Sequence, residues 1–107
     1  MRWRWRRGRR RGRPAGDLVI HSLPAIKRFV PDPKLHEESL VLNYPEFEAL
    51  RLVDLENLSY EDAATKMGTS RGTVWRLVKA GRSKIVRAIV EGKTLELAKG
   101  GEVEEER

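Results

Sequence analysis

The sequence predicts a mainly α protein: a three-helix, helix-turn-helix domain with a few short flanking β-strands and a disordered basic N-terminal arm. Three observations carry this. Residues 1–16 hold eight arginines and no acid. Apolar residues recur at three- and four-residue intervals between positions 47 and 89. That stretch is punctuated by Ser59, Gly68, Ser70 and Gly92, residue types that start and stop helices.

The arm, residues 1–16, is arginine and glycine with Trp3, Trp5 and a closing Pro14 and Gly16. Like charges at this density repel and leave little to bury, so disorder is expected. Residues 17–43 form a segment interrupted by Pro24, Pro31 and Pro33, which exclude a long helix and permit short extended pieces at 18–20, 28–30 and 40–42.

Residues 44–97 should form the domain itself. Asn43 or Tyr44 caps a first helix, Pro45 suits its first position, and Glu46 and Glu48 complement its dipole. Phe47, Leu50 and Val53, joined by Leu52 and Leu55, give it one broad apolar face up to about Glu56. Ser59, with Asp62 three residues on, opens a second helix through Ala63, Ala64 and Met67 that ends at Gly68. Ser70 caps a third, running to Glu91 before Gly92. Residues 94–97 alternate like a strand, and 98–107 read as a frayed acidic tail.

Charge is divided along the chain. The overall +6 conceals −5 over residues 44–62 and +7 over residues 66–93. A field polarised in this way orients a protein on a polyanion, and nucleic acid is the leading partner on charge alone. The absence of cysteine excludes disulfides and thiolate chemistry. His21 and His36 lack partners at ligand spacing, so no metal or other cofactor is expected. Asp17, Glu37 and Glu38 have no accompanying nucleophile or phosphate loop, so the chain is expected not to be an enzyme. No secretory signal or run long enough to span a bilayer is present, which predicts a cytoplasmic, nucleoid-associated protein without membrane contact.

Two helices joined by a tight glycine turn, the second entered through a serine cap, are the local plan of a helix-turn-helix. In the third helix Val74, Leu77, Val78, Gly81, Ile85, Ala88 and Ile89 mark the core side. At about 100° per residue the opposite face carries Gly72, Trp75, Arg76, Lys79, Arg82 and Ser83. The expected DNA-binding residues are Ser70, Arg71, Gly72, Thr73, Trp75, Arg76, Lys79 and Arg82. Arginine can pair bidentately with guanine in the major groove, threonine can meet a thymine methyl, and lysine and helix N-terminal amides hold phosphates. Lys79 and Arg82 are better placed for the backbone. In the arm, Arg9, Arg10, Arg11 and Arg13 are expected at phosphates or in the minor groove; Arg11-Gly12-Arg13-Pro14 resembles the core of an AT-hook, and a generic phosphate-binding tail is the favoured alternative.

Residues 58–74, Leu-Ser-Tyr-Glu-Asp-Ala-Ala-Thr-Lys-Met-Gly-Thr-Ser-Arg-Gly-Thr-Val, resemble the helix-turn-helix of bacterial sigma-factor region 4. With Glu48-Ala49-Leu50-Arg51-Leu52 before them and Glu91-Gly92-Lys93 after, the wider span resembles the family called domain of unknown function 134, whose members are described as predicted DNA-binding proteins. The resemblance implies a sigma region 4-like fold with the third helix as reader. It covers roughly residues 40–97, and the missing cysteines and long arginine arm depart from many members.

The expected function is therefore sequence-specific binding of double-stranded DNA by a transcriptional regulator. The alternatives are an RNA-binding protein dominated by its arginine arm, or a protein-interaction module touching RNA polymerase. Val86 and Val90 fall on the polar side of the third helix, where they pack on residues 17–43 or 94–97, or form a homodimer seam with paired DNA half-sites.

Overall fold

Asn43 starts the helical part of the chain by a reciprocal cap. Its side chain accepts the Glu46 N–H at 2.9 Å, and its own N–H donates to Glu46 Oε1 at 2.9 Å. The computed structural model describes residues 1–7 and 16–106. They form strands β1 (Arg2–Arg6), β2 (Leu18–Ile20), β3 (Arg28–Phe29) and β4 (Ser39–Asn43), helix α1 (Tyr44–Leu50) with a π-helical turn (Arg51–Leu55), helices α2 (Tyr60–Met67) and α3 (Arg71–Glu91), and strands β5 (Thr94–Ala98) and β6 (Glu102–Glu106).

The fold is mixed α/β, not mainly α. One sheet has the order β2-β1-β6 with both pairings antiparallel, and the other β3-β5-β4, in which β4 and β5 run parallel. The parallel pair is joined by all three helices, a long crossover of the kind parallel strands require.

The N-terminus is the main correction. Arg2–Arg6 is a strand at the centre of the first sheet, not a disordered arm. Arginines 2, 4 and 6 face outward while Trp5 is buried, with its indole N–H donating to the Lys99 carbonyl at 2.7 Å. Repulsion between the arginines is answered within the sheet: strand β6 sets Glu106, Glu104 and Glu102 opposite Arg2, Arg4 and Arg6, and the ion pairs formed run from Arg2 and Arg4 to Glu106 and from Arg4 and Arg6 to Asp17 beside β2. Opposite charges facing each other across antiparallel strands stabilise the pairing. The acidic C-terminal tail is accordingly strand β6, not a frayed end.

Trp5, Leu18 and Ile20 of this sheet pack with Ala49, Leu52, Ala63, Ala64, Met67, Val74 and Val78 in one core. A second, smaller core joins Leu42 and Leu95 of the other sheet to Ala88. The helices therefore have a sheet on either side. Gly81 lets α3 approach α1 closely: a Cβ there would lie 2.7 Å from Leu50 Cδ1.

Two apolar assignments are also corrected. Leu55 is 73% exposed, because the π-helical turn, closed by the Glu56 N–H to Arg51 carbonyl bond, shifts the helix phase after Leu52. Ile89 is 76% exposed although Ala88 before it and Gly92 after it are buried, because one residue on from Ala88 the helix has turned by about 100° and carries the side chain off the covered face. Val86 and Val90 are exposed as well, so neither packs on the proline-interrupted segment or on β5.

Candidate nucleic-acid interface

The turn between α2 and α3 is built by short-range chemistry that the sequence specifies. Ser59 Oγ accepts the Asp62 N–H at 3.0 Å at the start of α2. Gly68 ends it at φ 65°, a left-handed conformation that costs most other residues energy, and its N–H reaches the Ala64 and Thr65 carbonyls. Ser70 then caps α3 by accepting the Thr73 N–H at 3.1 Å, while its hydroxyl donates to Thr73 Oγ1 at 2.9 Å.

Burial fixes the rotation of α3. Val74 and Val78 are fully inside, packed in the core that holds Ala63, Ala64 and Met67. The other side of the helix therefore faces solvent, and Gly72, Trp75, Arg76, Lys79, Arg82 and Ser83 are all exposed. Arg76 Nη2 donates to Thr73 Oγ1 at 3.3 Å. Lys79 Nζ sits 4.8 Å from the centroid of the half-exposed Trp75 ring, a cation–π contact that lays both side chains along one ridge.

Ion pairs decide where the positive charge of the helical region remains available. Lys84 Nζ reaches both oxygens of Glu46 at 2.7 and 2.8 Å. Arg82 donates twice to Asp54, at 2.6 and 3.1 Å. Arg87 and Lys93 share Glu91. The C-terminal half of α3 is thus largely compensated. Toward the N-terminal half, Arg71 has only a 4.0 Å contact with Glu61, both well exposed, and such pairs contribute little. Among the described residues, no carboxylate lies within ion-pair distance of Lys66, Arg76 or Lys79.

Of the sequence-expected site, the structure therefore brings together Ser70, Arg71, Gly72, Thr73, Trp75, Arg76 and Lys79 over the turn and the first turns of α3. Arg82 shares their side of the helix but is held by Asp54, whose carboxyl the Arg82 hydrogen bonds keep below its ordinary range. Arg9, Arg10, Arg11 and Arg13, and with them the AT-hook-like motif, lie outside the described residues. Lys66 was missed by the sequence reading. It is exposed in the last turn of α2, beside the glycine that starts the turn. Its position after the Ala63-Ala64 core pair was the available signal.

Beneath this surface the acids of α1 are structural. Glu48 is completely buried, accepting the His21 N–H at 2.8 Å and two Arg51 N–H groups at 2.8 and 3.0 Å. Among the described residues no group of three His, Cys, Asp or Glu side chains is placed to hold a metal ion. No helix is long and apolar enough to cross a membrane.

Fold and surface together define a small α/β protein that presents one uncompensated cationic helix end on a capped, glycine-closed turn. The chain belongs to the family described as protein of unknown function DUF134, whose profile matches residues 6–106. It is 48% identical over 102 residues to a UPF0251 protein of Archaeoglobus fulgidus, covering 95% of this chain and 97% of that one. A UPF0251 protein of Pyrococcus furiosus is 45% identical over 104 residues, covering 94% and 93%. One of Chlorobaculum tepidum is 41% identical over 96 residues, covering 88% of this chain and 62% of the relative. No solved structure matches at a significant level.

Proposed function

We propose that the protein is a non-enzymatic, sequence-selective binder of double-stranded DNA that places the N-terminal half of α3 in the major groove. The observation that carries this reading is the distribution of charge after ion pairing. Cations compensated inside the fold leave Lys66, Arg71, Arg76 and Lys79 grouped around one serine-capped helix start. An α-helix fits the major groove, and its N-terminal residues are the ones a helix-turn-helix presents to base edges.

Roles follow from reach and chemistry. Arg76, hydrogen-bonded only to the Thr73 hydroxyl among the described residues, is assigned to base edges. Lys79, laid on Trp75, is assigned to phosphate, as are Lys66 and Arg71. Regulation of transcription is the role proposed for such binding.

Selection from a random duplex pool, followed by affinity measurements on the recovered and scrambled sequences, tests the proposal. Enrichment of a defined motif that Arg76→Ala relaxes supports it. A folded protein that enriches no motif, or prefers structured RNA at matched salt, overturns it.

A further inference from the structure

In the N-terminal half of α3 the exposed residues are Arg71, Gly72, Trp75, Arg76 and Lys79, and the indole of Trp75 is the one apolar side chain among them. It is 47% exposed and belongs to neither core, which Val74 and Val78 enter instead. The roles given above to the cations leave this ring without a partner on the DNA. Threonine, the residue type expected to meet a thymine methyl, is otherwise engaged: Thr73 is half-buried, and its Oγ1 accepts from Ser70 Oγ at 2.9 Å and from Arg76 Nη2 at 3.3 Å.

We infer that Trp75 is a specificity residue for thymine, its indole packing on the C5-methyl group in the major groove, an assignment that rests on the DNA reading. The base edges in that groove offer hydrogen-bond donors and acceptors at every base pair and a single apolar group, the methyl of thymine. An apolar side chain on a helix that enters the groove therefore has one base-specific partner of its own kind. Packing the ring on a donor or acceptor instead would desolvate that group without replacing its hydrogen bond.

Access favours the same contact. Helical side chains lean toward the N-terminus, so Trp75 inclines toward the turn that holds Gly72, and Lys79 leans back on Trp75, its Nζ 4.8 Å from the ring centroid. Position 72 puts no side chain in the way. A Cβ there would have only Arg76 Nη1 beside it, at 3.8 Å, so the helix surface between Trp75 and Arg76 is open to an approaching base edge.

The test uses the full chain and a duplex recovered by selection, with each thymine replaced in turn by deoxyuridine, which removes the methyl and keeps every hydrogen bond. At one or two positions the replacement should weaken wild-type binding roughly fourfold, the worth of one buried methyl group. Trp75→Ala should bind the thymine duplex more weakly and no longer distinguish the two; Trp75→Gln is the second variant should the first fall short of wild-type helicity. Thr73→Ser, which loses threonine's methyl and keeps its hydroxyl, should retain the distinction. A recovered site indifferent to every thymine methyl overturns the proposal, as it would if the indole N–H donated to a base acceptor. So does a distinction that survives in the folded Trp75 variants, which would leave the indole as a support for Lys79, or one that is lost in Thr73→Ser. Each of these results leaves sequence-selective DNA binding standing, whereas failure to recover any motif removes both.

Discussion

Arg82 and Asp54 form a two-point contact, guanidinium to carboxylate at 2.6 and 3.1 Å, that ties the middle of α3 to the π-helical turn. The pair spends a cation on the fold that its exposed position would otherwise offer to a phosphate. Asp54→Ala should therefore release Arg82 and strengthen binding to every duplex, with a log-log salt dependence steeper by about 0.9 for one added phosphate contact. Equal slopes for wild type and variant would show that Arg82 does not reach DNA.

The same pair sets a pH dependence. Hydrogen bonding from Arg82 holds the Asp54 carboxyl below its ordinary range, so its contribution to stability is present at neutral pH and disappears as pH falls through the folded-state value. Both side chains are substantially exposed, at 40% and 53%, so the contribution at neutral pH stays within about 1 kcal/mol. The difference in melting temperature between wild type and Asp54→Asn should shrink toward zero in acid, below the usual carboxylate range.

Arg76→Ala should leave the melting curve almost unchanged, since exposed substitutions usually stay within about 0.5 kcal/mol. Binding to a preferred duplex should weaken by about 1–3 kcal/mol, with relaxed choice at one or two base pairs. Lys79→Ala should weaken all duplexes alike. Unaltered affinity of folded Arg76→Ala for specific and nonspecific DNA would remove α3 from recognition.

The N-terminus should prove structural as well as basic. Trp5 fills the core shared by the first sheet and the helices, so Trp5→Ala should cost about 3–5 kcal/mol. Deleting residues 1–7 should lower the melting temperature comparably, because it removes the central strand between β2 and β6. Serine in place of Arg9, Arg10, Arg11 and Arg13 tests the arm's electrostatic role separately: the salt dependence should flatten while sequence preference keeps its order.

Glu48 offers a further stability test. Glu48→Ala leaves the His21 N–H without its acceptor and removes two of the three hydrogen bonds of the part-buried Arg51 guanidinium, which keeps only Glu56, so a cost of about 1–3 kcal/mol is expected. Gly68→Ala should cost about 1–2 kcal/mol through its left-handed backbone, because a Cβ there meets Val19 Cγ2 only at an ordinary contact distance of 3.7 Å. Denaturant titration measures both.

The helices and their ends were legible in the sequence because their causes lie within a few residues. Asn43, Ser59 and Ser70 cap where their side chains reach N–H groups three positions on, and Gly68 and Gly92 take the left-handed conformation that ends a helix. The exposed face of α3 followed from periodicity for the same reason. The alternation Arg2-Trp3-Arg4-Trp5-Arg6 also carried a strand signal, yet charge density alone argued for disorder. Its partner strand β6 is a hundred residues away, and the arginines are held by carboxylates that only the folded sheet brings to them, Glu106 for Arg2 and Arg4 and Asp17 for Arg4 and Arg6.

By itself, then, the sequence determined three capped helices, the glycine turn between the last two, and which side of α3 meets solvent, all consequences of local hydrogen bonding and helical period. The tertiary structure alone decided that both chain ends join in one sheet. It also decided that Leu55 and Ile89 lie outside the core, and that the cations of α3 divide into a compensated C-terminal half and an open N-terminal one. Each of these depends on which distant residue stands opposite, and opposition across a fold is a property of three-dimensional packing that no local pattern encodes.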